Sequence, residues 1–203
     1  MIANDDFEDA MAELVNVGVG RAAAALSSMV CERIELSVPR LMTIRQGELL
    51  QHLDLEDCPE VDNRLSLVQQ AFDGCLGGKA TVLFPLESAR KLVGLLTDGV
   101  LSAEELDLER EAALTEVGNI LINGVMGTIG NITGVEIRYR LPEYAECPAD
   151  RIEDTCSDRE LLLAVVLIAI SGMEIKGHLL LLFDLASMEN LTGIIQSMSQ
   201  IPD

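Results

Sequence analysis

The chain has 203 residues, 49% of them apolar, and carries 34 acidic against 14 basic side chains for a net charge of −20. It is long enough to bury one core or two intimately packed halves, while such a charge repels nucleic acid and anionic membrane, whose binding needs Lys and Arg to displace counterions. Only three of the basic residues are Lys (Lys79, Lys91, Lys176), and an acidic, Lys-poor surface is what a protein working in high salt should have, because there self-repulsion is screened.

In chain order, the first expected element is a long amphipathic helix from about Asp5 to Met29. Phe7, Met11, Leu14, Val15, Val19, Ala22 and Leu26 recur at helical intervals, and the Asn and Asp before them suit a cap. Ile34-Glu-Leu-Ser-Val-Pro39 then alternates as a half-buried strand does, and Pro39 is expected to stop it. Arg40 to Arg64 is acidic and aperiodic, which reads as a surface connector. Strands Ser66 to Phe72 and Ala80 to Phe84 follow, joined through Asp73-Gly74 and Gly77-Gly78 as antiparallel neighbours, and a helix after Phe84 closes the half.

The second half repeats this order. Ser102 suits a cap for a helix from about Ala103 to Ile129. Val135-Glu-Ile-Arg-Tyr-Arg-Leu-Pro142 is the next expected strand, Glu143 to Arg159 the connector, and Leu161 to Ile170 and His178 to Phe183 the strand pair, with turns at Ser171-Gly172 and Gly177. The repetition extends to single residues. Glu13-x-x-Asn16 is followed after 22 residues by Pro39, Glu116-x-x-Asn119 after 22 by Pro142, and all three pairs stand 103 positions apart. Later, Gly78 to Phe84 aligns with Gly177 to Phe183 at an offset of 99. A duplicated unit is implied, with repeats of approximately 1–100 and 101–203 in a single domain. The expected fold is a pseudo-twofold α/β domain whose six principal strands form one mostly antiparallel sheet flanked by long helices.

In each repeat a carboxylate and a carboxamide stand at i and i+3, neighbours on one helical face. Asp9 extends the first face by a further turn, so Asp9, Glu13 and Asn16 make a coherent polar strip. A solvated helix side accounts for Asp9 and Glu13 but less well for Asn16, since Asn prefers caps to helix interiors. Just beyond, Gly18 and Gly20 weaken the helix by about 1 kcal/mol each relative to Ala. Together with Gly118, Gly124 and Gly127 in the second helix they suggest close approach of another backbone, the underlying sheet first of all and a docking partner second.

Other chemistries lack support. His52 and His178 have no ligand partners at metal-binding spacing. There is no Walker loop, no G-x-G-x-x-G after a strand and no G-x-S-x-G elbow. Cys31, Cys58, Cys75, Cys147 and Cys156 form no C-x-x-C and total an odd number, so they read as reduced thiols. The acidic beginning MIANDDFEDA is no signal peptide and the apolar run Leu161 to Ser171 is too short to cross a bilayer, so a cytoplasmic protein without membrane insertion is expected.

Asp9-x-x-x-Glu13-x-x-Asn16, with Pro39 after 22 residues, resembles the signature of the CheC, CheX and FliY family of chemotaxis phosphatases. The second copy keeps Glu116, Asn119 and Pro142 and departs only at Ala112, where the family pattern has Asp or Ser. The resemblance implies hydrolysis of the aspartyl phosphate of the response regulator CheY-P. Asn16 and Asn119 would orient the attacking water, Glu13 and Glu116 would contact the regulator's active-site lysine, and Asp9 would support the first face. It implies no cofactor of the chain's own, with Mg²⁺ arriving on the phosphorylated regulator. It also implies a second partner, the receptor deamidase CheD, so a non-catalytic adaptor that binds and regulates CheD is the alternative. A flagellar-switch component of the FliY type would add a switch-binding module, whereas here the sequence closes soon after the second repeat. An idle duplicated domain would instead keep its acid–amide faces buried or blocked.

Overall fold

A computed structural model describes residues 5–30, 32–45, 48–52, 64–96, 103–149, 151, 160–170 and 173–199. The helical periodicity of the first segment yields α1 (Asp5–Val30), and all seven apolar residues of its predicted stripe, Phe7 to Leu26, are buried. The same holds for α4 (Ala103–Thr133), which buries Leu114, Val117, Leu121, Ile122, Val125, Met126 and Ile129. Gly134 takes φ +71° immediately after it, the left-handed conformation that ends a helix and that glycine adopts without a Cβ penalty. The two expected N-caps, ahead of Asp5 and at Ser102, lie outside the described residues.

Among the described residues the strands are β1 (Ile34–Arg45), β2 (Arg64–Gly74), β3 (Gly78–Pro85), β4 (Ile137–Tyr139), β5 (Glu143–Pro148), β6 (Glu160–Ile170) and β7 (Met173–Phe183). They form one seven-stranded sheet in the order β1-β6-β7-β3-β2-β4, with β5 also on β2, and every pairing is antiparallel. The terminal helices are α3 (Leu86–Leu96) and α5 (Leu185–Ser199), and α2 (Leu49–His52) is a single turn. At the centre of the sheet Thr81 pairs with Leu180, the two positions that the offset of 99 matches. The strand that opens the chain pairs with β6, near its far end, and β4 and β5 return to β2, so each part of the sequence supplies the outer strand to the other part's hairpin.

Four expectations change. Pro39 does not stop β1: the strand runs on to Arg45 with a register shift between Ser37 and Arg40. β1 is an edge strand, where a residue without an N–H and a bulge are both tolerated. The segment around Pro142 differs from Pro39, since it does interrupt the other edge, between β4 and β5. The second connector is consequently not all loop, because Glu143–Pro148 is β5 and pairs with Arg64 to Gln69. Gly177 is no turn residue either. It lies inside β7 opposite Val166, and a Cβ there would stand 2.5 Å from the Phe84 ring. These extensions make seven strands among the described residues where the alternating runs alone indicated six.

α1, α3, α4 and α5 share one large core with the sheet, containing Met11, Val15, Leu92, Leu121, Val125, Leu191 and Ile195. A smaller cluster on other sheet positions gathers Ile44, Leu65, Leu67, Leu83, Leu163 and Leu180. Glu109 to Thr133 of α4 is long and apolar enough to span a membrane, but half of its most apolar stretch is buried within the protein, as in a core helix.

Candidate active site

Helix α1 turns its apolar stripe to the core and thereby leaves Asp9, Glu13 and Asn16 exposed on the opposite side. Val17, next to Asn16, is 41% exposed. On α4 the matching residues are Ala112 and Glu116, both exposed, and Asn119, half-buried. The structure therefore places each Glu and Asn at neighbouring positions on one accessible helix face, and neither pair is sealed in the core. In the second pair the amide has a partner: Asn123 Nδ2 donates to Asn119 Oδ1 at 2.8 Å. Asn123 was not among the residues that the motif spacing selected. Two carboxamides at i and i+4 on a helix were the signal that could have found it.

The faces are fixed by how α1 and α4 cross. A Cβ on Gly18 would lie 2.5 Å from Val125 Cα and 2.8 Å from the Gly124 carbonyl oxygen. A Cβ on Gly124 would lie 2.9 Å from the Gly18 carbonyl oxygen. The close neighbour of Gly18 is thus the other helix, not the sheet; Gly118 does meet the sheet, at Val68. Gly20 and Gly127 have nothing within 4 Å of a would-be Cβ. Arg21 Nη1 bridges the crossing to Thr128 Oγ1 at 3.2 Å.

Contacts to the edge strands steady each helix. Thr43 N–H donates to Glu8 Oε1 at 3.0 Å, tying the part of β1 beyond Pro39 to α1, and Ile34 N–H donates to Ser27 Oγ at 2.9 Å. On the other side Arg110 of α4 bonds Glu146 of β5 at 2.7 Å with both side chains largely buried, Arg64 reaches the other carboxylate oxygen at 3.2 Å, and Tyr144 Oη donates to Glu146 Oε1 at 2.6 Å. Burial acts to raise the Glu146 pKa, but the Tyr144 hydroxyl and the two guanidinium groups outweigh it, leaving the carboxyl below its usual range. Burial, followed by its bond to the carboxylate, holds the Tyr144 phenol above its ordinary value. This network was not legible in the motif, because its members are far apart in sequence.

Chemically, each face offers a Glu carboxylate for a cation, joined on the first face by that of Asp9, and one amide that can both donate and accept. Among the described residues no group of three or more His, Cys, Asp and Glu side chains could hold a metal ion. Cys75 and Cys147, the described cysteines, are not in disulfides.

No protein-family model matches the chain. Among curated proteins it is 27% identical over 148 residues to CheC1 of Halobacterium salinarum, covering 72% of each chain. It is 24% identical over 140 residues to the CheY-P phosphatase CheC of Bacillus subtilis, covering 68% of this chain and 65% of that one. Among solved structures, FliY of Thermotoga maritima superimposes with a TM-score of 0.75 at 16% identity, over 97% of this chain and 99% of that one. A chain of the CheX–CheY–BeF3–Mg²⁺ complex from Borrelia burgdorferi gives 0.53 at 16% identity, over 84% and 98%.

Proposed function

We propose that the chain, which resembles the CheC, CheX and FliY family of chemotaxis proteins in sequence and in fold, is a phosphatase of phosphorylated CheY, with Glu13, Asn16, Glu116 and Asn119 as its working residues. The observation that carries this reading is the placement of both acid–amide pairs on accessible faces of the crossed helices α1 and α4. A curated relative named CheY-P phosphatase and a structural neighbour from a complex with CheY support the same substrate.

In this reading the helix face docks over the regulator's phosphorylated aspartate, which carries its own Mg²⁺. Asn16 or Asn119 holds a water in line with the bond between phosphorus and the aspartyl oxygen. The amide oxygen accepts a hydrogen bond from the water and so directs the water's lone pair at phosphorus. The water oxygen forms the new bond as the aspartyl oxygen leaves, giving inorganic phosphate and a free carboxylate. The transition state of such a transfer is loose, so positioning supplies most of what is required. Glu13 or Glu116 pairs with the regulator's lysine, which fixes register and aims the amide. Asp9 supports the first face; Ala112 leaves the second without that support. A hundredfold acceleration needs about 2.7 kcal/mol, which is within reach of one well-placed amide. The setting for this reaction is the cytoplasm.

The deciding experiment is the decay of phosphorylated CheY with wild-type protein and with Asn16→Ala, Asn119→Ala and the double variant. Acceleration lost only in the double variant supports two working sites; full acceleration in the double variant removes the mechanism. CheD binding is the second role we propose, because the resemblance to the family implies it; a net charge of −20 is compatible with a basic partner but does not identify one. Adaptor action would survive loss of both amides. We also propose that the halves are copies of one unit, a reading supported by the central Thr81–Leu180 pairing.

A further inference from the structure

One turn beyond Asn119, the Asn123 carboxamide reaches back along α4 and donates from Nδ2 to Asn119 Oδ1 at 2.8 Å. Helical side chains lean toward the N-terminus, so a residue at i+4 is placed to do this. The matching position on α1 is Gly20, where nothing lies within 4 Å of a would-be Cβ. Asn16 stands exposed beside this gap. The two faces share Glu and Asn at one spacing and differ in whether the amide is held.

We infer that Asn123 is a positioning residue, which fixes the rotamer and the presented edge of the Asn119 carboxamide before the regulator arrives. The inference rests on the phosphatase reading. An Asn side chain rotates broadly about χ2 and shows either its oxygen or its nitrogen to a given point. To orient water it must show one edge. Donation from Asn123 occupies one lone pair of Asn119 Oδ1, directs the plane of the amide, and leaves the second lone pair and both Nδ2 protons for water. It also polarises the amide and strengthens those donors. Asn119 is thereby ordered in advance, whereas Asn16 has to surrender its rotamer freedom on docking. Gly20 leaves the first face without such a clamp, and its open surroundings mean that a side chain can be added there.

The test uses the whole chain and phosphorylated CheY. In an Asn16→Ala background, where only the second face operates, Asn123→Leu keeps the helix and most of the side-chain volume but removes the donor. The kcat for dephosphorylation is expected to fall about three- to tenfold, the scale of one neutral hydrogen bond, with KM within about twofold. Asn123→Ala should do the same, which separates loss of the donor from any packing effect of Leu. The reciprocal change, Gly20→Asn in an Asn119→Ala background, is expected to raise kcat by a similar factor. Relaxation of the side-chain amides by NMR should show Asn119 ordered in the wild type and as mobile as Asn16 in both Asn123 variants. An unchanged kcat in these variants while the wild type is active, or an Asn119 amide no more ordered than that of Asn16, overturns the inference. A wild-type protein that leaves the decay of CheY-P unaltered while its Asn119 amide is ordered overturns the phosphatase reading and removes the clamp's catalytic role with it.

Discussion

Gly18 and Gly124 face each other across the crossing of α1 and α4 so closely that each carbonyl oxygen lies within 3 Å of where the other's Cβ would stand, 2.8 Å in one direction and 2.9 Å in the other. The two helices that carry the acid–amide pairs are therefore in backbone contact, and the distance between the faces depends on the absence of two methyl groups.

Gly18→Ala should force the helices apart and cost about 1–3 kcal/mol, the range for overpacking a well-packed interior. Gly20→Ala, two residues on but facing open space, should gain about 0.5–1 kcal/mol from helix propensity. Thermal unfolding of the two variants measures both. Equal stability of the two would mean that the crossing is not close in solution.

Glu13→Ala and Glu116→Ala should act on engagement more than on chemistry. Each variant, made where the Asn of the other face is Ala so that one face operates, should raise KM for CheY-P about three- to tenfold, as expected for a lost ion pair at a partly exposed interface. Steady-state kinetics at two ionic strengths checks this, since the wild-type KM should rise with salt and that of the double variant should respond less. A fall in kcat alone would reassign the carboxylates.

The Glu146 network makes stability depend on pH in a definite direction. The folded carboxyl titrates below its unfolded value, so its contribution is fully present above the unfolded pKa, about 4.3, and is lost as pH falls through the depressed folded value. Glu146→Gln should destabilise the protein by about 1–2 kcal/mol at pH 7, a figure reduced from that of a fully buried pair because Arg64 is half exposed. Below about pH 4 the difference from wild type should shrink. Denaturant unfolding from pH 3 to 7 measures it, and a gap that stays constant would show that the pair does not contribute through its charge.

Because β1 pairs with β6, and β4 and β5 pair with β2, fragments 1–100 and 101–203 each lack the outer strand of their own hairpin. Neither should fold alone, and an equimolar mixture should recover the circular dichroism of the intact chain. Cooperative unfolding of an isolated fragment would contradict the interlocked sheet.

A net charge of −20 with three Lys against eleven Arg predicts that stability rises with salt as self-repulsion is screened. The melting temperature should climb between about 0.1 M and 2 M KCl and fall on dialysis to low salt. A flat profile would remove the high-salt expectation.

Features that recur over a turn of helix or a step of strand are legible in the residues alone. The stripe from Phe7 to Leu26 reads directly as a buried face, because a 3.6-residue period places its members on one side. The same geometry puts Glu13 beside Asn16 and Glu116 beside Asn119 on the side that remains, so the candidate residues were legible without coordinates. The partners of the strands were not. Alternation says that Ile34 to Val38 lies on a sheet, but it cannot say that Ile34 pairs with Ile170 or that the strand continues past Pro39 because it is an edge. The contacts of Gly18 with Gly124 and Arg110 with Glu146 escape for the same reason: residues so far apart in sequence meet only once the core has closed. The periodic pattern chose the faces, and packing of the sheet and helices decided what each face meets, because long-range contacts depend on shape and burial across the whole core and leave no local period behind.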